Sequence, residues 1–224
     1  MSKHLQMELD KIKSSLLTIS SLVERNLTLA VRAVKEIDAE LVQQINESDF
    51  EIDTMEVDLE EECLKTLALH QPVASDLRFV VVALKMNNEL ERVGDLAVNL
   101  AERAKYLSQL PKIEVPFDFE SMAKKVKEMV KQSITALIEM DLELAKSVIK
   151  SDDFVDEIHR GMYASVFGRI KQNSDQAEQL IHYLTVSRFL ERIADYSTNI
   201  AEDVVYMIDG SIIRHERRPR DKSL

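Results

Sequence analysis

Apolar residues recur along the start of the chain at Leu5, Leu9, Ile12, Leu16, Ile19 and Val23, and the pattern resumes at Leu27, Ala30, Val34 and Ile37 after one slip. A period near 3.5 puts these side chains on one stripe of an amphipathic helix of about 33 residues, roughly 50 Å long at 1.5 Å per residue. Asp38 interrupts the pattern and is the expected N-cap of a second helix. Leu41, Ile45, Ile52, Met55 and Leu59 carry a second apolar seam to about Leu69. Pro72 suits the first turn of a third helix, where its missing N–H costs nothing, and that helix is expected to run to about Leu107. Pro111 and Pro116 flank residues 110–119, the stretch that reads as a linker. A fourth helix is predicted over about 119–140, with Asp141 in the turn as Asp38 was, and a fifth to about Lys171. Asn173, Ser174 and Asp175 with Glu178 look like a capping box opening a sixth helix, which ends near Gly210, a suitable C′ residue.

The second half repeats the first. At an offset of 103 residues, Ala33, Ile37, Asp38, Leu41, Ser48 and Asp53 meet Ala136, Met140, Asp141, Leu144, Ser151 and Asp156. After the second helix the offset falls to 100, where Leu84, Leu90 and residues 91–102 meet Leu184, Leu190 and residues 191–202. The predicted fold class is therefore all-α: a tandem duplication of a three-helix unit, giving six long helices. Short connections make each unit an antiparallel up-down-up bundle. The repeats are expected to occupy residues 1–109 and 117–210, with 211–224 a short basic tail carrying Arg214, Arg217, Arg218, Arg220 and Lys222.

Composition agrees with helices. Four glycines and four prolines in 224 residues leave too few turns for a sandwich or barrel, which need a turn signal every ~8–12 residues. Charge then removes function classes: 29 basic against 40 acidic residues, net −11, argues against nucleic-acid binding. A lone cysteine, Cys63, forbids an intrachain disulfide and a Cys-rich zinc site. The N-terminus lacks the apolar core of a signal peptide, and the longest apolar run, residues 79–84, falls far short of the ~20 residues that span a bilayer. A soluble, cytoplasmic protein is expected.

The candidate chemistry lies in the third and sixth helices. Residues 91–102 read Glu-Arg-Val-Gly-Asp-Leu-Ala-Val-Asn-Leu-Ala-Glu, and 191–202 read Glu-Arg-Ile-Ala-Asp-Tyr-Ser-Thr-Asn-Ile-Ala-Glu. At 100° per residue, Glu91, Asp95, Asn99 and Glu102 fall within about 80° of one another, with Val93, Leu96, Ala97, Leu100 and Ala101 opposite. A lone Glu-x-x-x-Asp pair is ordinarily a solvated helix face. Like charges at i,i+4 are unfavourable by roughly 0.2–0.5 kcal/mol, yet both copies keep them. A bound cation relieves that repulsion, and carboxylate and amide oxygens suit hard metals such as magnesium, calcium, manganese or iron. The expected ligands are Glu91 and Asp95 in one repeat and Glu191 and Asp195 in the other, with Asn99 and Asn199 nearby. Asp53 and Asp156, on the second and fifth helices, are a second rank. Glu56 and its counterpart His159 would join them if these helices face the stripes.

The duplicated Glu-Arg-φ-x-Asp-x-x-x-Asn-φ-Ala-Glu, together with Gln71-Pro-Val-Ala-Ser-Asp-Leu-Arg78 at the opening of the third helix, closely resembles the PhoU family of bacterial phosphate-system regulators. The resemblance covers essentially the whole chain and both repeats. It implies two three-helix bundles side by side, with multinuclear metal clusters at the motifs that here are Glu91/Asp95 and Glu191/Asp195. The second copy departs from the first: Ala194 stands where Gly94 does, and the Pro-Val-Ala-Ser-Asp-Leu-Arg opening is absent. The resemblance further implies regulation rather than turnover, by bridging the ATPase subunit PstB of the phosphate ABC transporter to the sensor histidine kinase PhoR. It leaves a homodimer open.

Two rival readings belong to other classes. A di-iron carboxylate enzyme of ferritin type needs Glu-x-x-His pairs from two helices; the chain has none, and Asp156-x-x-His159 is the nearest feature. A metal-free docking scaffold would use the stripes as partner surface, with Arg92 and Arg192 pairing with carboxylates on a neighbour or within the fold. No Gly-rich phosphate loop or Ser–His–Asp pattern is present to nominate.

Overall fold

The structure is a computed structural model and describes residues 3–210. Six helices follow in order: α1 (Lys3–Glu36), α2 (Leu41–His70), α3 (Ala74–Ser108), α4 (Phe119–Glu139), α5 (Leu142–Gln172) and α6 (Ala177–Asp209), with a 3₁₀ turn at Ser174–Gln176 before the last. The first apolar stripe is the core face of α1, where Leu5 through Val34 are buried in the predicted register. The basic tail lies outside the described residues.

The duplication reaches the helix ends. Ile37 and Met140 both adopt the left-handed conformation, and the next N–H closes back in each copy, Asp38 to Ala33 O and Asp141 to Ala136 O, both at 2.9 Å. This pairing satisfies carbonyls that the last helical turn leaves open. The starts differ. Asp141 caps α5 by accepting from Leu144 N at 2.9 Å, as expected. Asp38 does not cap α2: its carboxylate accepts from Glu40 N, and the helix begins after Glu40, already in helical geometry. Two further expectations are corrected. Pro72 precedes α3 rather than opening it, because Gln71 turns left-handed to close α2 on Leu67 O and Val73 stays extended. Asn173 accepts from Asp175 N and caps the 3₁₀ turn, so α6 starts from Gln176 with no side-chain cap.

Within each repeat the three helices pack on one another, and the repeats meet chiefly through α3 against α6, with α1 against α4 beside them. Cross-repeat pairs run Arg78–Met207, Lys85–Asp203, Glu89–Asn199, Arg92–Tyr196 and Tyr106–His182. As α3 advances α6 recedes, so the two motif helices are antiparallel neighbours at the centre, and α2 and α5 form the outer flanks. One apolar core runs through both repeats and includes Leu90 and Leu190, both fully buried. A smaller cluster of Leu107, Met162, Val166, Leu180 and Tyr183 closes the end near the linker. The linker is strapped down: Ser165 and Arg169 donate to the carbonyls of Pro116 and Glu114, and Gln179 donates to that of Pro111.

Candidate metal centre

In each repeat the motif helix lies against the outer helix, and carboxylates from the two come together. In the first repeat α3 supplies Glu91, half-buried, and Asp95, exposed; α2 supplies Asp53, exposed, and Asp49, half-buried. In the second repeat α6 supplies Glu191, half-buried, and Asp195, exposed; α5 supplies Asp156, half-buried, and Asp152, buried. Spacing explains the placement: Asp49 and Asp53 are four residues apart, as are Glu91 and Asp95, so each pair spans one helical turn. Asp49 and Asp152 were not among the expected ligands. The signal for them was present, because they correspond at the same 103-residue offset and sit one turn before Asp53 and Asp156.

These carboxylates raise one another's affinity for protons. Burial, then the charges of Asp53, Asp95 and Glu91, pushes Asp49 up to about 6. Burial raises Glu91 as well, followed by Asp95, Asp53 and Glu56, against an opposing Arg92. Burial and then Asp53 raise Asp95. In the second repeat burial raises Glu191, with Asp156 and Asp152 adding to it and Arg188 and Arg192 opposing. Each cluster is thus a site of excess negative charge that includes residues removed in part from water.

The donor set is oxygen only, which suits a hard cation, and the backbone makes room for it. A Cβ at Gly94 would stand 3.0 Å from Asp49 Oδ1, so the glycine lets that carboxylate lie against α3. As the side chains stand, no three His, Cys, Asp or Glu groups converge tightly enough to hold an ion among the described residues. The residues fit a hard cation by the chemistry of their oxygen donors and by their placement on two adjoining helices. The two clusters lie on opposite flanks and do not merge.

The other motif residues have local duties. Asn87 of α3 donates to both the backbone and the carboxylate of Glu56, at 2.8 and 3.2 Å. At the corresponding positions in the second repeat, His159 Nδ1 lies 3.0 Å from Ser187 Oγ. That hydroxyl also lies 2.9 Å from Leu184 O, to which it donates. Glu56 and His159 therefore tie outer helix to motif helix, each with a partner changed to match. Asn199 turns to the other repeat, donating to Glu89 at 3.4 Å, while Asn99 is half-buried on α3. The motif arginines are also placed: Arg92 and Arg192 both lie over the Tyr196 ring, 5.8 and 5.9 Å from its centre, and Arg192 donates to its hydroxyl. A structural reason for the repeated Arg is this cation–π stack between bundles. Among the described residues no helix is long and apolar enough to cross a membrane.

Comparison with known proteins places this arrangement. The PhoU domain model matches twice, at residues 16–104 and 119–204. The Aquifex aeolicus phosphate-specific transport system accessory protein PhoU homolog is 35% identical over 93% of this chain and 95% of its own. The Pseudomonas aeruginosa homolog of the same description is 34% identical over 96% of this chain and 89% of its own. The crystal structure of PhoU from Pseudomonas aeruginosa superposes with a TM-score of 0.87 at 33% identity, covering 92% of this chain and 99% of that one. The phosphate transport system regulatory protein PhoU from Streptococcus pneumoniae superposes with a TM-score of 0.83 at 28% identity, covering 93% and 99%. With both repeats matched, the chain belongs to the PhoU family of non-enzymatic accessory proteins.

Proposed function

We propose that this protein acts in the cytoplasm as a regulator of phosphate uptake and of the phosphate-starvation response, coupling the transporter ATPase PstB to the sensor kinase PhoR. The observation that carries the reading is family membership through both repeats, with relatives described as phosphate transport accessory or regulatory proteins. A regulator without catalytic groups works by binding one state of its partner better than another. Here it favours the kinase's inactive or phosphatase state when phosphate is plentiful. Deleting the gene in the native host should switch phosphate-scavenging genes on in rich phosphate. Unchanged expression after a clean deletion overturns the role.

Within that reading, hard metal ions (iron, manganese or magnesium) are held by Glu91 and Asp95 in one repeat and by Glu191 and Asp195 in the other. Asp53 and Asp156 assist, and Asp49 and Asp152 join them because they stand in the same clusters. A bound cation neutralises the carboxylates and fastens each outer helix to its motif helix; the residues' own part is to present oxygens from two helices at once. One observation favours the metal-free scaffold instead: the carboxylates do not converge as they stand. The metal-dependent melting experiment described below separates the two readings.

A further inference from the structure

The inner face of α2 is buried through Val42, Ile45, Ile52, Leu59 and Cys63. The opposite face carries Phe50, Val57 and Leu64, which are 75%, 56% and 51% exposed. Their seven-residue spacing drifts only ~20° per heptad, so they form one line about 21 Å long, pointing away from the core. Single exposed apolar residues are ordinary, but three in register on one helix face are a patterned surface.

The fold does not require this line. At the 103-residue offset, the positions of Phe50 and Val57 in the second repeat hold Asp153 and Arg160, both exposed, and only Phe167 matches Leu64. The same helix position in the same bundle is thus satisfied by charged residues. The apolar line belongs to the first repeat alone, and stability of the bundle does not account for it.

Its surroundings specify what fits. Glu47, Asp58 and Glu61 border one side of the line, and Asp53 and Glu60 border the other. Lys65 is the sole Lys or Arg of α2, and it is held by Glu61 at 2.6 Å. An apolar strip between two acidic margins complements a helix with an apolar face and Lys or Arg along both edges. A second copy offering the same face would set carboxylates against carboxylates, since a two-fold interface joins identical patches. An anionic lipid surface is repelled for the same reason.

We propose that the Phe50–Val57–Leu64 face of α2 is a docking surface for a basic amphipathic helix of a partner protein. The inference rests on α2 alone and is independent of the phosphate reading. The probe is a fluorescein-labelled peptide of leucine and lysine, about 18 residues long, with leucines at i, i+3, i+4 and i+7. Its control has glutamate in place of every lysine. Fluorescence anisotropy with the full chain should show binding of the lysine peptide, weakened at about 0.5 M salt as exposed charges are screened, and no binding of the glutamate peptide. The double variant F50D/V57R carries the residues that the second repeat tolerates, so it should melt like wild type while losing about tenfold or more in affinity. A second variant, D58N/E60Q/E61Q, keeps the apolar line and should weaken binding chiefly at low salt. Equal affinity of wild type and both variants, or equal binding of the two peptides, overturns the proposal. So does a dimer in sedimentation that F50D/V57R abolishes, which would give the face to a second copy.

Discussion

Asp49 shows how a single carboxyl reports on the cluster around it. In the unfolded chain an aspartate titrates near 3.9; burial and the neighbouring Asp53, Asp95 and Glu91 hold Asp49 at about 6 in the folded protein. Between those values the folded state keeps a proton that the unfolded state has lost, so stability falls as pH rises through the window. Metal-stripped protein should therefore gain melting temperature from Asp49 on acidification from pH 7 to about 5. His159, lowered by burial, pulls the other way, so the informative quantity is the difference between wild type and Asp49→Asn. The gain should be smaller in the variant, and superimposable pH profiles of melting would contradict the assignment. A divalent ion bound at the clusters, as proposed, would relieve the same repulsion at neutral pH. Manganese or iron should raise the melting temperature of wild type by mass action, and Asp95→Asn with Asp195→Asn should abolish the rise while leaving helicity intact. Equal responses of wild type and double variant would leave the clusters as solvated helix faces.

At the scale of elements, the six helices were legible because each buried face repeats with a helical period, and Leu90 and Leu190 sit in that period on α3 and α6. Both are fully buried. Truncating either to Ala should cost about 2–5 kcal/mol in urea unfolding, the range for a large-to-small change that leaves a cavity. A loss under about 1 kcal/mol at either site would mean that the core collapses around the gap. Helix starts were less legible. Asp38 and Asp141 correspond in sequence and follow identical left-handed turns, yet only Asp141 caps its helix. The difference lies in the two extra residues before α2, whose path no local propensity specifies.

For the whole molecule, the decisive feature is that α3 and α6 pack together and one apolar core passes through both repeats. Lys85 pairs with the buried Asp203 across that contact, Arg78 donates to Met207 O, and Tyr106 stacks on His182. The linker adds to the join through its carbonyls. Two repeats with a common core should unfold together. Circular dichroism and near-ultraviolet absorbance should give one coincident thermal transition, and two resolved transitions would show that the repeats are energetically separate.

The all-α class, the duplication, the buried register of the first helix and the Glu91/Asp95 and Glu191/Asp195 stripes were legible in the sequence alone. Those properties follow from periodicity within one helix, where neighbours in space are neighbours in sequence. Which helix faces each stripe was decided only in three dimensions. Asp49 and Asp152 became members of the clusters because α2 and α5 turn them toward α3 and α6. Glu56 and His159 proved to be ties between helices, and Arg92 and Arg192 met on one tyrosine of the second repeat. Apart from Arg192 and Tyr196, which lie one turn apart on α6, these pairings join residues from about 30 to more than 100 positions apart; helical period carries no information about them, and they are set by the packing of one helix surface into another.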